Sequence, residues 1–189
     1  MKNTKRNLND NCVVKKDEKT CIKKNRRLVK QFPFLLPRNI FTDKTPEDYC
    51  YTHTLLDLLP DTWYKAFGED LCKDLKKILI EDGLLDDFRI EEIKEKYGTL
   101  RIYTNFTSDK IDEVLRKYED LSMMTCICCG KPATHYNTSG WINFVCKNCA
   151  EKDSRKLTIE DIPSRTLYSK DGETKIESFY KTQMEKLWK

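Results

Sequence analysis

The spacing of four cysteines in the C-terminal half of this chain constrains its structure more than any other feature of the sequence. Cys126 and Cys129 form a CxxC pair followed directly by Gly130, and sixteen residues later Cys146 and Cys149 form a second pair. Two thiolates separated by two residues face one ion when the backbone turns tightly between them, and the interval lies in the range of zinc sites. Because four sulfur ligands favour tetrahedral Zn²⁺, the pattern predicts one structural zinc held by these four residues.

The residues around the two pairs predict a compact zinc module over residues 126–156. Residues 132–136 and 141–145 are β-like and are joined by a turn, so a hairpin is expected to return the chain to the metal. Residues 146–155 have helix-forming composition, which would put the second pair on the first turn of a helix. Knuckle, hairpin and helix in this order are typical of a treble clef.

Cys128 and His135 are the other potential ligands in this module. Cys128 adjoins Cys129 and is expected to point away from an ion held by its neighbour, and a hairpin histidine is more often beside a metal than bound to it. A site closed by four protein sulfurs leaves no position for water, so the zinc is not evidence for an enzyme. The sequence contains no Walker loop, GxGxxG motif or nucleophile elbow, and we expect no catalytic residues.

The composition indicates one folded domain with appendages in a reducing compartment. The chain has 189 residues, of which 39% are hydrophobic and 35% charged. No apolar run reaches the roughly 20 residues that cross a bilayer, and the basic N-terminus is not followed by the apolar stretch of a secretory signal. We therefore expect no membrane association and a cytoplasmic location, with nine cysteines that are reduced or metal-bound.

Charge is distributed unevenly along the chain. Residues 1–30 hold eleven Lys or Arg and three Asp or Glu, a net charge of +8, whereas the remaining residues carry 24 basic and 28 acidic groups, a net charge of −4. A basic arm of this kind either contacts nucleic-acid phosphates or is a solvated, poorly ordered segment. Because these residues include no aromatic side chain for base stacking, we expect residues 1–30 to form a flexible leader.

Residues 31–125 are expected to form an α+β core of helix, β-hairpin and helix. Residues 31–38 are apolar but contain two prolines, which predicts an extended strap on the core. A short helix is expected within residues 45–59. A long helix follows, with Asp61 as its N-cap and Gly83 as its C′ residue, and its apolar positions recur every three or four residues.

The hydrophobic period then changes from that of a helix to that of a strand. Residues 89–95 and 99–105 flank a Tyr-Gly turn and are rich in β-branched and aromatic residues, which predicts a β-hairpin. Ser108 is expected to cap a second helix that runs into the cysteine cluster. The alternative to the hairpin is a single helical face made of Ile90, Ile93 and Tyr97.

Residues 157–189 are expected to form a C-terminal extension. It is predicted to be irregular as far as Glu173 and to end in an amphipathic helix over residues 174–189. Cys72 is predicted to be a small buried hydrophobe on the long helix. A second metal site can be drawn from four residues whose spacing matches no standard pattern, namely Cys12, Cys21, Cys50 and His53.

Four sequence segments carry a resemblance to a known group of proteins: FLLPR at 34–38, WYKAFG at 63–68, IEEIKEKYGTLRIY at 90–103, and the CxxCG…CxxC tail. Together they resemble small uncharacterised zinc-binding proteins of bacteriophages, prophages and low-GC bacteria. The resemblance covers roughly residues 30–150 and is most specific in the IKEKYGTLRIY stretch. It implies a phage-related setting, in the cytoplasm of a bacterium or of an infected host cell. It also supports the hairpin at 90–103, and no catalytic residues can be carried over from it.

Two hypotheses about function follow, and an enzyme is a third, less favoured one because the sequence has no recognisable catalytic motif. The first is a zinc-stabilised protein-binding or regulatory module, for example a phage accessory factor that acts on a host protein, because interfaces favour the Trp, Tyr and Phe residues that this chain contains. The second is a nucleic-acid-binding protein that uses the basic leader and the zinc module. The cations of the module are Lys131, Lys147, Lys152, Arg155 and Lys156.

Overall fold

The computed structural model describes residues 16–137, 142–152 and 159–161, and within them the protein is α+β. Strand Ile90–Lys96 pairs antiparallel with Thr99–Thr104, and in a second sheet His135–Asn137 lies between Phe144–Val145 and Ile159–Asp161, antiparallel to both. The elements in chain order are α1 (Lys16–Gln31), 3₁₀ turns at Pro33–Leu35 and Leu55–Leu58, α2 (Asp61–Trp63), a π turn (Tyr64–Gly68), α3 (Glu69–Glu81), β1 (Ile90–Lys96), β2 (Thr99–Thr104), α4 (Asp109–Met123), β3 (His135–Asn137), β4 (Phe144–Val145), α5 (Lys147–Glu151) and β5 (Ile159–Asp161).

The core lies where α4 packs against α3 and β2. Aromatic rings meet edge to face within it, with Phe88 between Phe34 and Phe106 at centroid distances of 5.7 Å. Burying a large apolar side chain stabilises a fold by roughly 1.5–3 kcal/mol, so this cluster accounts for much of the cohesion between the elements. Its most deeply buried aromatic residues are Phe32, Phe34, Trp63, Phe67, Phe88 and Tyr118.

The predicted long helix is present, but it contains a π turn between α2 and α3. Its large buried side chains lie at every fourth position from Trp63 to Leu79, with the smaller Gly68 and Cys72 buried beside them. A straight α-helix would rotate a four-residue repeat away from the core. The π turn holds more residues than an α turn and absorbs part of that rotation. Asp61 is the first helical residue rather than the N-cap, a position that Pro60 occupies.

The C-terminal end of α3 is as predicted. Gly83 has a φ of +70°, its N–H donates to the carbonyl of Ile80, and the N–H of Leu84 donates to that of Leu79. These two bonds form a Schellman motif, which glycine favours because it adopts positive φ without steric cost.

The β-hairpin prediction is also confirmed, with the register Ile93 opposite Ile102. Tyr97 and Gly98 both have positive φ, 54° and 77°, as a type I′ turn between twisted strands requires. Ser108 caps α4, since its side chain accepts a hydrogen bond from the N–H of Ile111. The hairpin and α4 therefore follow from local sequence signals.

The structure differs from the expected flexible leader over residues 16–30, which form most of α1. Leu28 and Asn25 are fully buried, and the Asn25 side chain donates to the carbonyl of Tyr51 over 3.0 Å. Lys24 lies over the Tyr64 ring. The helix is thus held by contacts with residues far along the chain, which its own composition does not reveal. The extended strap predicted over residues 31–38 begins with the last residue of α1 and contains a 3₁₀ turn at Pro33–Leu35, so it is extended only in part.

The C-terminal region departs from the prediction at one point. Residues 159–161, expected to be irregular, form β5 and pair with β3 in the register His135 opposite Asp161. The pairing partner lies over twenty residues earlier, so the strand has no local signature. The helix predicted over residues 174–189 and Cys12 of the leader lie outside the described residues.

Candidate metal centre and surface loop

The structure brings together the four cysteines that the spacing selected. The sulfur atoms of Cys126, Cys129, Cys146 and Cys149 all lie within 4.8 Å of one another, and those of Cys129 and Cys146 are 3.6 Å apart. Cys126 and Cys146 are buried, whereas Cys129 is exposed. The cluster is compatible with a metal site that opens to solvent on one side.

The first pair lies on a tight backbone turn. The N–H of Cys126 donates to the carbonyl of Lys131 over 2.7 Å, and the N–H of Gly130 donates back to the carbonyl of Cys126 over 2.8 Å. Gly130 has a φ of +74°, a conformation that side-chain-bearing residues rarely adopt. The glycine after the second cysteine thus permits the return of the chain that points both thiols inward.

The second pair lies at the start of α5, as predicted. Cys146 precedes the first helical residue, and its carbonyl accepts hydrogen bonds from the N–H groups of Cys149 and Ala150, each over 3.0 Å. The β3–β4 hairpin delivers Cys146 to this place, with His135 opposite Val145. The strands are shorter than the sequence indicated, but the order of turn, hairpin and helix is the predicted one.

The four thiols perturb one another's ionisation. Burial raises the pKa of Cys129 and of Cys149, and neighbouring thiols raise the pKa of Cys149 further. Burial acts in the same direction on Cys146, but the backbone N–H of Cys149 and the surrounding thiols stabilise its thiolate, so its pKa is lowered. Proton affinity is therefore unevenly divided within the cluster, and a bound cation would favour the thiolate at every position.

The other potential ligands lie outside this cluster. Cys128 is exposed, and the imidazole of His135 hydrogen-bonds the Thr134 hydroxyl over 2.6 Å. Among the described residues only one such grouping of ligand atoms occurs, so Cys21, Cys50 and His53 form no second one. Cys72 is buried, which raises the pKa of its thiol, as expected for a small core residue.

The cysteine cluster is attached directly to the core. The Thr62 hydroxyl donates to the carbonyl of Ile127, inside the first CxxC turn, over 2.8 Å. Trp63 Nε1 donates to the carbonyl of Thr125 over 3.4 Å. A Cβ added to Gly98 would lie 3.0 Å from the ring of Phe144 in β4. The start of the long helix and the tip of the β1–β2 hairpin therefore both contact the module.

A second candidate site, which the sequence analysis missed, is the loop of residues 39–44, here named the Phe41 loop. Phe41 is 89% exposed and Ile40 66% exposed. The Asn39 side chain accepts hydrogen bonds from the N–H groups of Phe41 and Thr42, and its backbone N–H donates to the carbonyl of Lys44. Arg38 pairs with Asp43. The sequence feature that could have indicated this exposed loop is the Ile40–Phe41 pair within the otherwise polar residues 38–44.

Comparison with known protein families, curated proteins and solved structures finds no match to this chain. Within the part of the chain that the structure describes, no helix has both the length and the apolar character needed to cross a bilayer. The site must therefore be interpreted from its own geometry.

Proposed function

We propose that the protein is a zinc-stabilised protein-interaction module, in which the four cysteines hold one structural Zn²⁺ and the Phe41 loop contacts a partner protein. The observation that supports the interaction most directly is the exposure of Phe41 on a loop closed by its own hydrogen bonds.

The distances between the sulfur atoms support the zinc assignment. Zn–S bonds of about 2.3 Å in a tetrahedron place sulfur atoms about 3.8 Å apart. The separation of 3.6 Å between Cys129 and Cys146 is close to this value, and the others need contractions of 1 Å or less. Soft thiolates select zinc over hard cations such as Mg²⁺. The turn, hairpin and helix that carry the ligands make a treble-clef module the best description of the zinc-bound form.

The Phe41 loop is suited to an interface because its own hydrogen bonds already order it before a partner binds. Exposing a Phe ring to water forgoes roughly 1.5–3 kcal/mol of burial, and the loop's hydrogen bonds hold that ring away from the core. A partner that buries the ring recovers this free energy without the further cost of ordering the loop, about 0.5–1.5 kcal/mol for each immobilised side chain. Aromatic anchors of this kind carry much of the binding energy at interfaces.

The proposed partner is a protein with an apolar pocket that accepts Phe41 and Ile40. The resemblance to phage and prophage proteins supports an encounter in the cytoplasm of a bacterium or of an infected host cell. The protein would then act as an accessory factor that binds a host protein, with zinc holding its fold rather than taking part in chemistry.

The proposal is tested by comparing two serine variants in a quantitative pulldown. Tagged full-length wild type, Phe41→Ser and Ile80→Ser are incubated with nuclease-treated lysate of a low-GC bacterium. Ile80 is the matched control because it is 57% exposed but lies on α3. We expect at least one discrete protein to be captured by wild type and by Ile80→Ser, and to be reduced about tenfold with Phe41→Ser, which corresponds to a loss of about 1.4 kcal/mol.

A photoreactive amino acid at position 41 would then identify the direct contact by cross-linking. Sedimentation of wild type and Phe41→Ser distinguishes a foreign protein from a second copy of the chain, since only self-association would disappear in the variant without lysate. If no captured or self-associated protein depends on Phe41, the Phe41 loop is not the interaction site.

A further inference from the structure

From Lys19 onward, every charged residue of helix α1 is a cation. Residues 19–31 include six Lys or Arg and no Asp or Glu. All six basic side chains are exposed, although the rest of the protein beyond residue 30 has a net charge of −4. The positive charge is thus concentrated on one element of the fold.

Four of these cations form a stripe along one face of α1, here named the α1 stripe. At 100° per residue, positions 19, 23, 27 and 30 fall within an arc of about 80° and span about 16 Å of helix. Among the described residues, none of the four makes an ion pair. The members of the stripe are Lys19, Lys23, Arg27 and Lys30.

The opposite face of α1 is already occupied by the core. Leu28 and Asn25 are fully buried, and Ile22 and Val29 are half-buried. A basic amphipathic helix that binds a membrane inserts its apolar face among the lipids, and here that face is not available. The contacts of Asn25 with Tyr51 and of Lys24 with the Tyr64 ring also fix the helix in place. The stripe is therefore a preformed row of charges on a rigid support.

We infer that the α1 stripe binds the phosphate backbone of duplex nucleic acid. A duplex presents one negative charge per about 1.7 Å of its axis, so a row of cations about 16 Å long can neutralise several phosphates at once. Single strands are bound largely by stacking bases on aromatic rings, and residues 19–31 contain no aromatic side chain. This activity is independent of the Phe41 loop.

The test measures the salt dependence of binding by the full chain to a fluorescein-labelled 20-base-pair DNA duplex. Neutralising four phosphates gives a slope of log K against log salt near −3.6, which weakens binding about 150-fold between 50 and 200 mM KCl. Fluorescence anisotropy is compared for wild type and a variant with Lys19→Gln, Lys23→Gln, Arg27→Gln and Lys30→Gln. We expect the variant's slope to be smaller in magnitude by about 3 to 4.

A second quadruple variant controls for the change in total charge. It carries Lys65→Gln, Lys77→Gln, Lys96→Gln and Arg116→Gln, which are exposed positions on other elements, outside the zinc module and the Phe41 loop, and its slope should change by less than about 1. If the stripe variant fails to match wild type in bound metal or circular dichroism, the single variants Lys23→Gln and Arg27→Gln replace it, each expected to reduce the slope by about 0.9.

Three results would overturn the inference. The wild type could fail to bind the duplex at 50 mM KCl. The stripe variant could match the control variant. The stripe could instead be required for binding to vesicles of phosphatidylserine and phosphatidylcholine (1:3) and not for binding to the duplex, which would make a membrane its partner.

Discussion

The hydroxyl of Thr62, at the start of the long helix, donates a 2.8 Å hydrogen bond to the carbonyl oxygen of Ile127, between the first two cysteines of the metal cluster. Gly130 lies against the same residue, since a Cβ built there would be 3.9 Å from the Cβ of Thr62. The helix and the first CxxC turn are therefore in direct contact. We therefore expect an ordered CxxC turn to stabilise the start of the long helix, and an ordered helix to stabilise the turn.

Thr62→Val should weaken this connection without changing the shape of the side chain. The carbonyl of Ile127 would lose its donor, at a cost of about 1 kcal/mol in the free energy of unfolding. If the loss loosens the turn, zinc affinity falls up to about fivefold. Urea unfolding and chelator competition measure the two effects. Thr62→Ser keeps the hydroxyl and should retain wild-type zinc affinity; equal losses in both variants would mean that the hydrogen bond has no role.

Removal of a single ligand should abolish stoichiometric zinc binding. Cys126→Ser or Cys146→Ser leaves three sulfur ligands and an incomplete structural site, and bound zinc measured by mass spectrometry should fall from about one equivalent to near zero. Cys128→Ser is the matched control, because Cys128 adjoins the ligands but lies outside their cluster. Full zinc content in Cys126→Ser, or its loss in Cys128→Ser, would contradict the ligand assignment.

Gly98→Ala should be more destabilising than Gly83→Ala. Both residues have positive φ, 77° and 70°, so each alanine variant incurs roughly 1–2 kcal/mol of backbone strain. Around Gly83 no atom lies within 4 Å of the added Cβ, whereas at Gly98 it would lie 3.0 Å from the carbonyl of Ile142 and from the Phe144 ring.

The steric conflict at Gly98 should add about 1–3 kcal/mol, measured as the difference between the unfolding free energies of the two variants. Because the conflict is with β4 and with Ile142, two residues before it, Gly98→Ala should also bind zinc more weakly than Gly83→Ala. Equal destabilisation by the two substitutions would show that the hairpin tip does not constrain the module.

Tyr118→Phe should have a pH-dependent effect on stability. Burial raises the pKa of the Tyr118 phenol above its ordinary value of 10.0, and its hydrogen bond to Asp74 raises it further. The neutral phenol is thus favoured in the folded state. Its contribution is complete below pH 10 and falls as the pH rises above 10, where the unfolded chain loses the phenol proton first.

At pH 8 the Phe variant should be less stable by about 1 kcal/mol, the usual value of one hydrogen bond. Between pH 10 and 11 this difference should shrink, because only the wild type has a phenol that ionises on unfolding. Urea unfolding across that range provides the measurement. A difference that stays constant from pH 8 to pH 11 would exclude a buried, un-ionised Tyr118.

Local signals were sufficient to predict some elements of the fold. Ser108, Gly83 and the Tyr97–Gly98 turn each form hydrogen bonds or adopt dihedral angles within a few residues of themselves, so their sequence context identifies them. Local context did not predict the π turn at Tyr64–Gly68, because a turn of that kind depends on which faces the rest of the core buries.

The sequence by itself determined the four cysteines of the metal cluster, since the CxxC spacing and Gly130 dictate the turns that bring their sulfur atoms together. Only the tertiary structure decided which side chains of α1 and of the Phe41 loop are buried and which are exposed. Asn25 is fully buried and donates a hydrogen bond to the carbonyl of Tyr51, twenty-six residues away, whereas Phe41 and its apolar neighbour Ile40 are both left in water. The burial of a side chain depends on contacts with elements from distant parts of the chain, and local sequence patterns do not specify those contacts.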